Sequence, residues 1–378
     1  GAHVVVVGGG FGGASCARAL RKFAPTLRVT LVEKNDTFTA MPHSNAVLAG
    51  LADIKQQQFG YHRLQAEGVH VVFASASGVD SRKRTVTLSD GSSLTYERLV
   101  VSPGIAFRPD TIAGYDAAAM AKMPPAYYRG NEIAVLRAQL EAMEDGGAVV
   151  ISSPVNPARC PPAPYERASL IAYYLKKAKP RSKVIILDSK ESFTMQKLFE
   201  SAWQDLYPGM IEWIGLSQGG ELTEVDVNSM TLATDFDKVK AAVANIIPSQ
   251  KAGSAAEIAG VADRTGWCPV DPITFESKIA PNVHVLGDAT LVGTMPKSAF
   301  GAFAQAQICA AAIAKLFANA TPDRPKLINT CYSVAAPDYG MSVAGVYQPV
   351  GNDYLEVEGA GDLAILVAEA ALQATNRR

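Results

Sequence analysis

Apolar residues along this chain occur in short continuous runs separated by stretches with helical spacing. The stretch "HVVVVGGGFGGASCARALRKF" begins as a strand-like run and continues, after a glycine turn, with apolar positions three and four residues apart. The strand-like segment "RVTLVEK" follows. Strand, helix and strand in this order are typical of a parallel α/β unit. A second series, from "AVVIS" through "ASLIAYYLKKAKP" to "SKVIILDSK", predicts a second unit in the middle of the chain.

The turn between the first predicted strand and helix carries Gly8, Gly10 and Gly13 in the spacing G-x-G-x-x-G. In a dinucleotide-binding fold the first glycine permits a tight turn and the second lets the backbone approach a pyrophosphate. The third lets helix and strand pack closely. Glu33, at the end of the second predicted strand, is an acceptor for ribose hydroxyls. Because an acid at this position disfavours a 2'-phosphate, the motif predicts FAD or NAD.

Two later segments favour FAD over NAD. "YERLVVSPG" ends at Gly104, and "NVHVLGDAT" is a predicted strand followed by Gly287 and Asp288. Together with the first motif they resemble the FAD-binding signature of flavoproteins with two dinucleotide-binding domains. The resemblance implies that Asp288 holds the ribityl chain, whereas a turn or helix cap would explain this residue taken alone. Lys297, beside the start of a predicted helix, is a candidate to stabilise an anionic reduced flavin.

The middle unit lacks a glycine motif at the place where a pyridine nucleotide would bind. Between its first strand and its helix stands "SSPVNPARCPPAPYERA", whose prolines have no amide hydrogen to donate. We therefore expect a nucleotide-like fold without a nucleotide, and an electron donor smaller than NADH or NADPH. The segment contains Cys160 and, in the helix-like run that follows, Glu166.

Composition narrows the classes of function. Of the 378 residues, 48% are hydrophobic and 19% are charged, and the net charge is -1. These values are typical of a globular enzyme and disfavour nucleic-acid binding. We expect no apolar run long enough to span a bilayer and no metal site; no signal peptide is evident, which says nothing about the compartment. The cysteines are too few for a disulfide scaffold and lack zinc-site spacing: Cys16, Cys160, Cys268, Cys309 and Cys331.

Four segments together resemble the flavoprotein subunit of flavocytochrome c sulfide dehydrogenase: "RCPPAPYERA", "GWCPVD", "MPKSAFGAFAQA" and "NTCYS". Sulfide:quinone oxidoreductases are more distant relatives. The resemblance implies a glutathione-reductase-type α/β fold and a redox-active disulfide beside FAD, here Cys160 and Cys331. It also implies sulfide as substrate, a separate c-type cytochrome subunit as electron acceptor and a periplasmic location. Because this chain has no C-x-x-C-H site, haem c is expected only on the partner.

Some members of that family bind FAD covalently through a cysteine shortly after the second strand. The matching segment here, "DTFTAMPHSN", has Ala40 and Met41 and no cysteine. We therefore predict non-covalent FAD. Glu166 is the candidate acceptor for the proton of sulfide. The alternative is an ordinary carboxylate in the first turn of a helix, where the helix dipole favours it.

Two other functions stay open at this point. A sulfide:quinone oxidoreductase would need a membrane-facing surface, and the amphipathic tail "DLAILVAEAALQATNRR" is more simply explained by packing on its own domain. Cys268 keeps this alternative open, because quinone-type relatives often use a third cysteine. The other alternative is a flavin-containing electron-transfer protein without sulfide chemistry.

We expect the chain to form three domains. The FAD-binding domain is discontinuous and consists of residues 1–110 and 255–315. Residues 111–254 form a second Rossmann-like domain without a nucleotide motif, and residues 316–378 form an α+β interface domain. This last domain contains Cys331, and we expect it to cover the flavin and to face a partner.

Overall fold

The computed structural model describes residues 1–127 and 130–358. Within these residues the strands are, in chain order, β1 His3–Val7, β2 Arg28–Glu33, β3 Phe38–Thr39, β4 Gln58–Phe59, β5 His70–Phe73, β6 Ala76–Asp80, β7 Thr85–Leu88, β8 Ser93–Thr95, β9 Arg98–Val101, β10 Ile105–Phe107, β11 Ala148–Ser153, β12 Lys183–Asp188, β13 Ile211–Ile214, β14 Leu222–Asp226, β15 Thr231–Thr234, β16 Lys238–Lys240, β17 Val243–Ile246, β18 Gln250–Ala252, β19 Cys268–Pro269, β20 Val283–Val285, β21 Thr290–Leu291, β22 Leu327–Ala336, β23 Tyr339–Val350 and β24 Asp353–Glu356. The α-helices are α1 Phe11–Phe23, α2 Ser44–Leu48, α3 His62–Ala66, α4 Ala117–Lys122, α5 Gly130–Ala142, α6 Ala163–Ala178, α7 Gln196–Leu206, α8 Ser254–Ile258 and α9 Ala299–Phe317. Short 3-10 helices are Ile54–Gln57, Pro109–Thr111 and Leu216–Gln218.

The first parallel sheet has the strand order β20–β9–β1–β2–β5. Its central strand β1 is buried along its whole length, which explains the continuous apolar run of its sequence. Strand β20 comes late in the chain and pairs with β9, so the chain returns to this sheet after completing the second one. Because all five strands run parallel, the segments that follow β1, β2, β9 and β20 meet at one edge of the sheet.

The second parallel sheet has the order β13–β12–β11–β17. Strand β11 has the position that β1 has in the first sheet, with a following helix and a parallel neighbour on each side. The cysteine-containing segment connects β11 to α6, and α6 begins at Ala163. The structure thus confirms a Rossmann-like α/β unit whose first turn contains Cys160 and no glycine motif.

The C-terminal part of the described chain is the antiparallel sheet β22–β23–β24. Strand β22 packs against α6 of the second unit and against α9 of the first. This position brings Cys331, in β22, next to the boundary between the two units. The domain boundaries stay a prediction, and the amphipathic tail from Asp362 onward lies outside the described residues.

Helix α9 corrects one expectation from the sequence. Among the described residues it is the helix that is long and apolar enough, by length and composition, to cross a membrane, whereas no such run was expected. In this fold α9 packs against α1 and β22, and 44% of its apolar window is buried. Core helices satisfy the same criteria, so α9 is weak evidence for a membrane span.

Candidate flavin and dithiol site

The glycine turn after β1 has the geometry that the motif requires. Gly8 has φ +102°, and a Cβ at this position would lie 2.2 Å from the carbonyl oxygen of Ser102. A Cβ on Gly13 would lie 1.6 Å from the carbonyl oxygen of Gly8. Gly10 is the N-cap of α1, and no side chain among the described residues caps this helix end. The first amides of α1 are therefore free to bind a phosphate.

The acid at the end of β2 is tied to this turn. Glu33 Oε2 accepts a hydrogen bond from the amide of Gly9 at 2.6 Å, and Oε1 accepts one from the amide of Asn35 at 3.2 Å. A carboxylate has further lone pairs, so Glu33 keeps acceptors for ribose hydroxyls. Tyr61, which no sequence pattern singled out, donates to the carbonyl of Gly9 at 2.8 Å and so also fixes the turn.

The three predicted residues after β9 and β20 lie beside the cysteine loop. Gly104 and Gly287 have left-handed backbones, with φ +65° and +85°. Asp288 Oδ2 forms an ion pair with Arg159 Nε at 2.6 Å. A Cβ on Gly104 would meet Arg159 Nη2 at 3.1 Å, so the guanidinium lies against both positions. Sequence reasoning missed Arg159, because no local pattern distinguishes it from a surface arginine.

The loop that carries Cys160 is fixed by its backbone. Cys160 has φ +49°, a conformation that non-glycine residues rarely adopt. Its amide donates to the carbonyl of Lys297 at 2.7 Å. The hydroxyl of the buried Tyr127 donates to the carbonyls of Arg159 and Cys160. Gln250 Oε1 accepts from the amide of Arg159 at 2.8 Å. These contacts hold the strained position of Cys160 in place.

Cys331 is connected through Asn329 to Ser298, the residue that follows Lys297 in the chain. Asn329 Nδ2 donates to Cys331 Sγ at 3.5 Å, and Asn329 Oδ1 accepts from the hydroxyl of Ser298 at 2.6 Å. Ser298 is the N-cap of α9, because its side chain also accepts from the amide of Gly301 at 2.9 Å. Cys160 is thus hydrogen-bonded to Lys297, and Cys331 is connected by two hydrogen bonds, through Asn329, to the next residue, Ser298. Both are free cysteines in the structure.

The two sulfurs differ in their electrostatic surroundings. Burial and the charge of Asp288 raise the pKa of Cys160 to about 12, although the neighbouring Arg159 acts in the opposite direction. Burial also raises the pKa of Cys331, but the hydrogen bond from Asn329 lowers it. The charge of Cys331 acts on the pKa of Cys160, so the two sulfurs are within electrostatic reach of each other. Cys331 is 8% exposed, whereas Cys160 is half-buried.

Glu166 lies between the two cysteine-bearing segments. It is in the first turn of α6, where the helix dipole favours a carboxylate, but it also contacts residues of two other elements. Oε1 accepts from Asn45 Nδ2 at 3.0 Å, and Oε2 accepts from the amide of Val334 in β22 at 3.0 Å. Burial raises the pKa of the Glu166 carboxyl, and the hydrogen bonds from Asn45 and Val334 oppose this shift. A carboxyl whose pKa is raised is better matched to accept a proton near neutral pH.

The side chain of Lys297 contacts Thr290 and Trp267. Its amino group donates to the carbonyl of Thr290 at 2.7 Å and lies 4.3 Å from the centre of the Trp267 ring. Burial lowers its pKa to about 8, while the charges of Asp288 and Cys268 act to raise it. The backbone of Lys297 therefore positions Cys160, and the predicted role of its ammonium group toward a flavin stays a prediction. Cys268 is within electrostatic reach of this lysine and is buried, and burial raises its pKa to about 12.

The residues present fit FAD. The uncapped end of α1 and the close backbone approaches at Gly8 and Gly13 suit a pyrophosphate. Two buried atoms beside the cysteine segments, Gln250 Nε2 and Thr330 Oγ1, have no hydrogen-bond partner within the described residues. Unpartnered buried donors are costly unless a ligand or water satisfies them. The described residues contain no group of three or more His, Cys, Asp or Glu side chains that could hold a metal ion.

Comparison with known proteins connects this geometry to a family. Residues 133–248 match the family described as sulfide dehydrogenase (flavocytochrome c) flavoprotein chain, central. Residues 323–378 match the flavocytochrome c sulphide dehydrogenase flavin-binding family, and residues 2–132 match the pyridine nucleotide-disulphide oxidoreductases. A 45-residue segment, 12% of this chain, is 64% identical to the sulfide dehydrogenase flavoprotein chain of Chlorobaculum thiosulfatiphilum and covers 94% of that sequence. The chain belongs to the flavocytochrome c sulfide dehydrogenase flavoprotein family.

More distant relatives have the same fold. The mitochondrial sulfide:quinone oxidoreductase of Mus musculus is 22% identical over 85% of this chain and 72% of its own length. The solved structure of the sulfide:quinone oxidoreductase from Aquifex aeolicus superimposes with a TM-score of 0.76 at 18% identity, covering 94% of this chain and 87% of that one. The predicted α/β fold is thereby confirmed, and family membership makes the chain an FAD-dependent, sulfide-oxidising oxidoreductase.

Proposed function

We propose that this chain oxidises sulfide through a disulfide between Cys160 and Cys331 beside non-covalently bound FAD, and passes the electrons to a c-type cytochrome subunit. The observation that supports it best is that hydrogen bonds connect both cysteines to two adjacent residues. The amide of Cys160 bonds to Lys297, and Cys331 is connected through Asn329 to Ser298. Two cysteines far apart in sequence are thus held at one point, at the start of α9.

The electrostatic difference between the sulfurs gives the reaction a direction. HS⁻ attacks the sulfur of Cys160, the residue with the larger exposed fraction. The bond between the cysteine sulfurs breaks, and a new sulfur–sulfur bond forms a persulfide on Cys160. The electron pair of the broken bond leaves on Cys331 as a thiolate. Asn329 donates a hydrogen bond to that sulfur, which makes Cys331 the better leaving group. A second HS⁻ then attacks the outer persulfide sulfur and releases HSS⁻, leaving Cys160 as a thiolate.

Glu166 accepts the proton that sulfide carries into the persulfide. Its carboxylate is bonded to Asn45 and to Val334, three residues beyond Cys331 in the same strand. FAD, when bound, supplies the two-electron acceptor that returns the cysteine pair to the disulfide and passes the electrons on singly. The candidate residues for holding it are Gly8, Gly10, Gly13, Glu33, Gly104, Gly287, Asp288 and Lys297.

Non-covalent FAD is tested by denaturation in acid. The segment after β2 contains Ala40 and Met41 and no cysteine, so the flavin should separate completely from the polypeptide. Flavin that stays with the precipitated protein would contradict this proposal. The haem-carrying partner is implied by the name of the family and is tested by whether haem copurifies with the flavoprotein. The periplasmic location rests on the resemblance to cytochrome c-linked enzymes and is tested by cell fractionation.

Anaerobic titration with sulfide tests the central proposal. Excess sulfide should bleach the flavin absorbance in a single rapid phase, and adding cytochrome c should restore it. If the flavin stays oxidised in excess sulfide, the chain is an electron-transfer flavoprotein without sulfide chemistry. A dithionite titration is the control, because it shows that the flavin is reducible in the same sample.

Sulfide:quinone oxidoreductase is the second candidate function. Likeness to such enzymes extends over 85% of the chain in sequence and 94% in structure, and α9 meets the criteria of a membrane helix by length and composition. Parallel assays with cytochrome c and with a soluble quinone separate the two candidates. Faster turnover with the quinone would favour this second function.

A further inference from the structure

A buried asparagine contacts the candidate proton acceptor. Asn45, in α2, is 3% exposed. Its Nδ2 donates to Glu166 Oε1 at 3.0 Å and to the carbonyl of Ala163 at 3.1 Å, and its Oδ1 accepts from Arg167 Nε at 2.8 Å. Because a guanidinium only donates and a carbonyl only accepts, a single orientation of the amide satisfies all three contacts. Asn45 is therefore fixed with its donor side toward Glu166.

Arg167 is the group that fixes this orientation. It is 1% exposed and forms no salt bridge with any described residue. Its other N–H groups donate to the carbonyl of Pro125 at 3.0 Å, the carbonyl of Ala126 at 2.6 Å and Asn245 Oδ1 at 3.0 Å. Connected hydrogen bonds polarise one another in a buried site. A buried cation bonded to Oδ1 of Asn45 thus strengthens the bond that Nδ2 donates to Glu166.

We infer that Asn45, oriented by Arg167, is a positioning residue that directs Glu166 between the two cysteine segments and stabilises its carboxylate form. The inference deepens the proposed function and rests on it for the role of Glu166. The second oxygen of Glu166 is held by Val334, so the carboxylate connects α2, α6 and the strand of Cys331.

The charge balance around Glu166 gives the direction of the effect. Burial favours the protonated carboxyl, and the bond from Asn45 is the largest contribution in the opposite direction. The other charged or titratable groups that act on Glu166 are His43, Arg167 and Cys160. Losing the Asn45 amide should therefore leave Glu166 protonated over a wider pH range. In that variant Glu166 should be unable to accept a proton at acid pH, while at alkaline pH it should still accept one.

The test measures anaerobic flavin reduction by sulfide between pH 5 and 9, as a ratio to the wild type so that the titration of sulfide cancels. Asn45→Ala should be about tenfold slower at the acid end and less than about twofold slower at the alkaline end, because one hydrogen bond to a charged group is lost. In a Glu166→Gln background the same substitution should change the rate by less than about twofold at every pH. Asn45→Asp keeps the bond to Arg167 but cannot donate, so its acid limb should shift at least as far.

Asn228→Ala is the matched control, because Asn228 lies exposed in a turn far from Glu166 in sequence and should leave the profile unchanged. An Asn45→Ala rate lowered by one factor at all pH values, or lowered equally in the Glu166→Gln background, would show a merely structural role and overturn the inference.

Infrared difference spectroscopy separates this inference from the proposed function. The protonated carboxyl band of Glu166 is identified by its absence in Glu166→Gln and is titrated without any turnover. A titration midpoint at higher pH in Asn45→Ala than in the wild type supports the inference even if sulfide fails to reduce the flavin. An unchanged midpoint overturns it even if sulfide oxidation is established.

Discussion

The two parallel sheets of this protein have the same local topology and use the turn after their first strand in opposite ways. After β1 the turn is built from glycines and leads to a helix whose first amides are free. After β11 the turn is built from prolines and a strained cysteine, and its backbone is bonded to Lys297 of the first unit. One turn is open to an anionic ligand, whereas the other presents a thiol.

The acids at the ends of the second strands show the same difference. Glu33 ends β2, contacts two backbone amides and keeps free lone pairs. Asp188 ends β12 and is fully buried, and it accepts bonds from Tyr165 at 2.5 Å and Trp213 at 2.9 Å. Lys190 forms an ion pair with Asp188 at 3.0 Å. An acid whose oxygens already accept these bonds has no acceptor left for a ribose, so we expect the second sheet to lack a nucleotide site for two independent reasons.

Replacement of the cysteines should give the largest effect. We expect Cys160→Ser and Cys331→Ser each to slow flavin reduction by sulfide on the order of 10³-fold or more, because the electrophilic sulfur bond is lost. Stopped-flow absorbance of the flavin measures this rate. Cys268→Ala is the matched control and should retain the rate within about twofold. A loss as large in this control would favour the quinone-type alternative, in which Cys268 takes part in the reaction.

Breaking the ion pair of the second sheet should affect stability alone. Lys190→Met leaves the buried carboxylate of Asp188 without its cation and should lower the free energy of unfolding by about 3 kcal/mol. Urea unfolding measures this change, while flavin content should stay unchanged. Lys183→Met is the control, since its pair with Glu212 spans 3.9 Å at the surface and should contribute less than about 1 kcal/mol. A loss of flavin in Lys190→Met would contradict the expectation that the second sheet contributes to stability and not to flavin binding.

Acid should destabilise the first sheet, because its strand β20 contains the buried His284. The middle unit contains no histidine in its sequence. His284 Nδ1 donates to the carbonyl of Thr274, and Nε2 accepts from Arg98. Burial lowers the pKa of His284 to about 4, below the ordinary 6.5, so the folded state binds fewer protons. Stability is therefore complete above about pH 6.5 and is lost as the pH falls toward 4, by about 2 kcal/mol between pH 7.5 and 5. Urea midpoints of the wild type and His284→Gln should converge at acid pH; parallel curves would contradict this.

The smallest predicted effect concerns Gly10, where we expect the backbone to approach the pyrophosphate. A Cβ on Gly10 would meet only Phe38 Cε2 at 3.6 Å, an ordinary contact, so Gly10→Ala should fold normally. The affinity of this variant for FAD should fall about tenfold, because the added methyl group would occupy space that we expect the pyrophosphate to fill. Flavin release followed by fluorescence measures this affinity, and Gly340→Ala, whose Cβ would meet nothing within 4 Å, is the control. Unchanged affinity in Gly10→Ala would place the pyrophosphate elsewhere.

Local patterns predicted much of this fold. Both strand–turn–helix units, the strand before Asp288 and the helix that contains Glu166 were predicted, because burial of a parallel sheet produces apolar runs that are visible in sequence. The partners of the site were not predicted. Arg159, Asn45 and Tyr127 have no periodicity or spacing that sets them apart, since each acts through a contact with a distant segment.

The sequence by itself determined the classes of chemistry: a glycine turn for a dinucleotide, its absence in the second unit, and a cysteine in place of a second nucleotide motif. These follow from residue types and short spacings, which local sterics and hydrogen bonding control. Only the tertiary structure decided that Cys160 and Cys331 are attached to adjacent residues, Lys297 and Ser298, with Glu166 bonded between their segments. Such proximity depends on how separate units pack, and packing is a property of the folded chain as a whole.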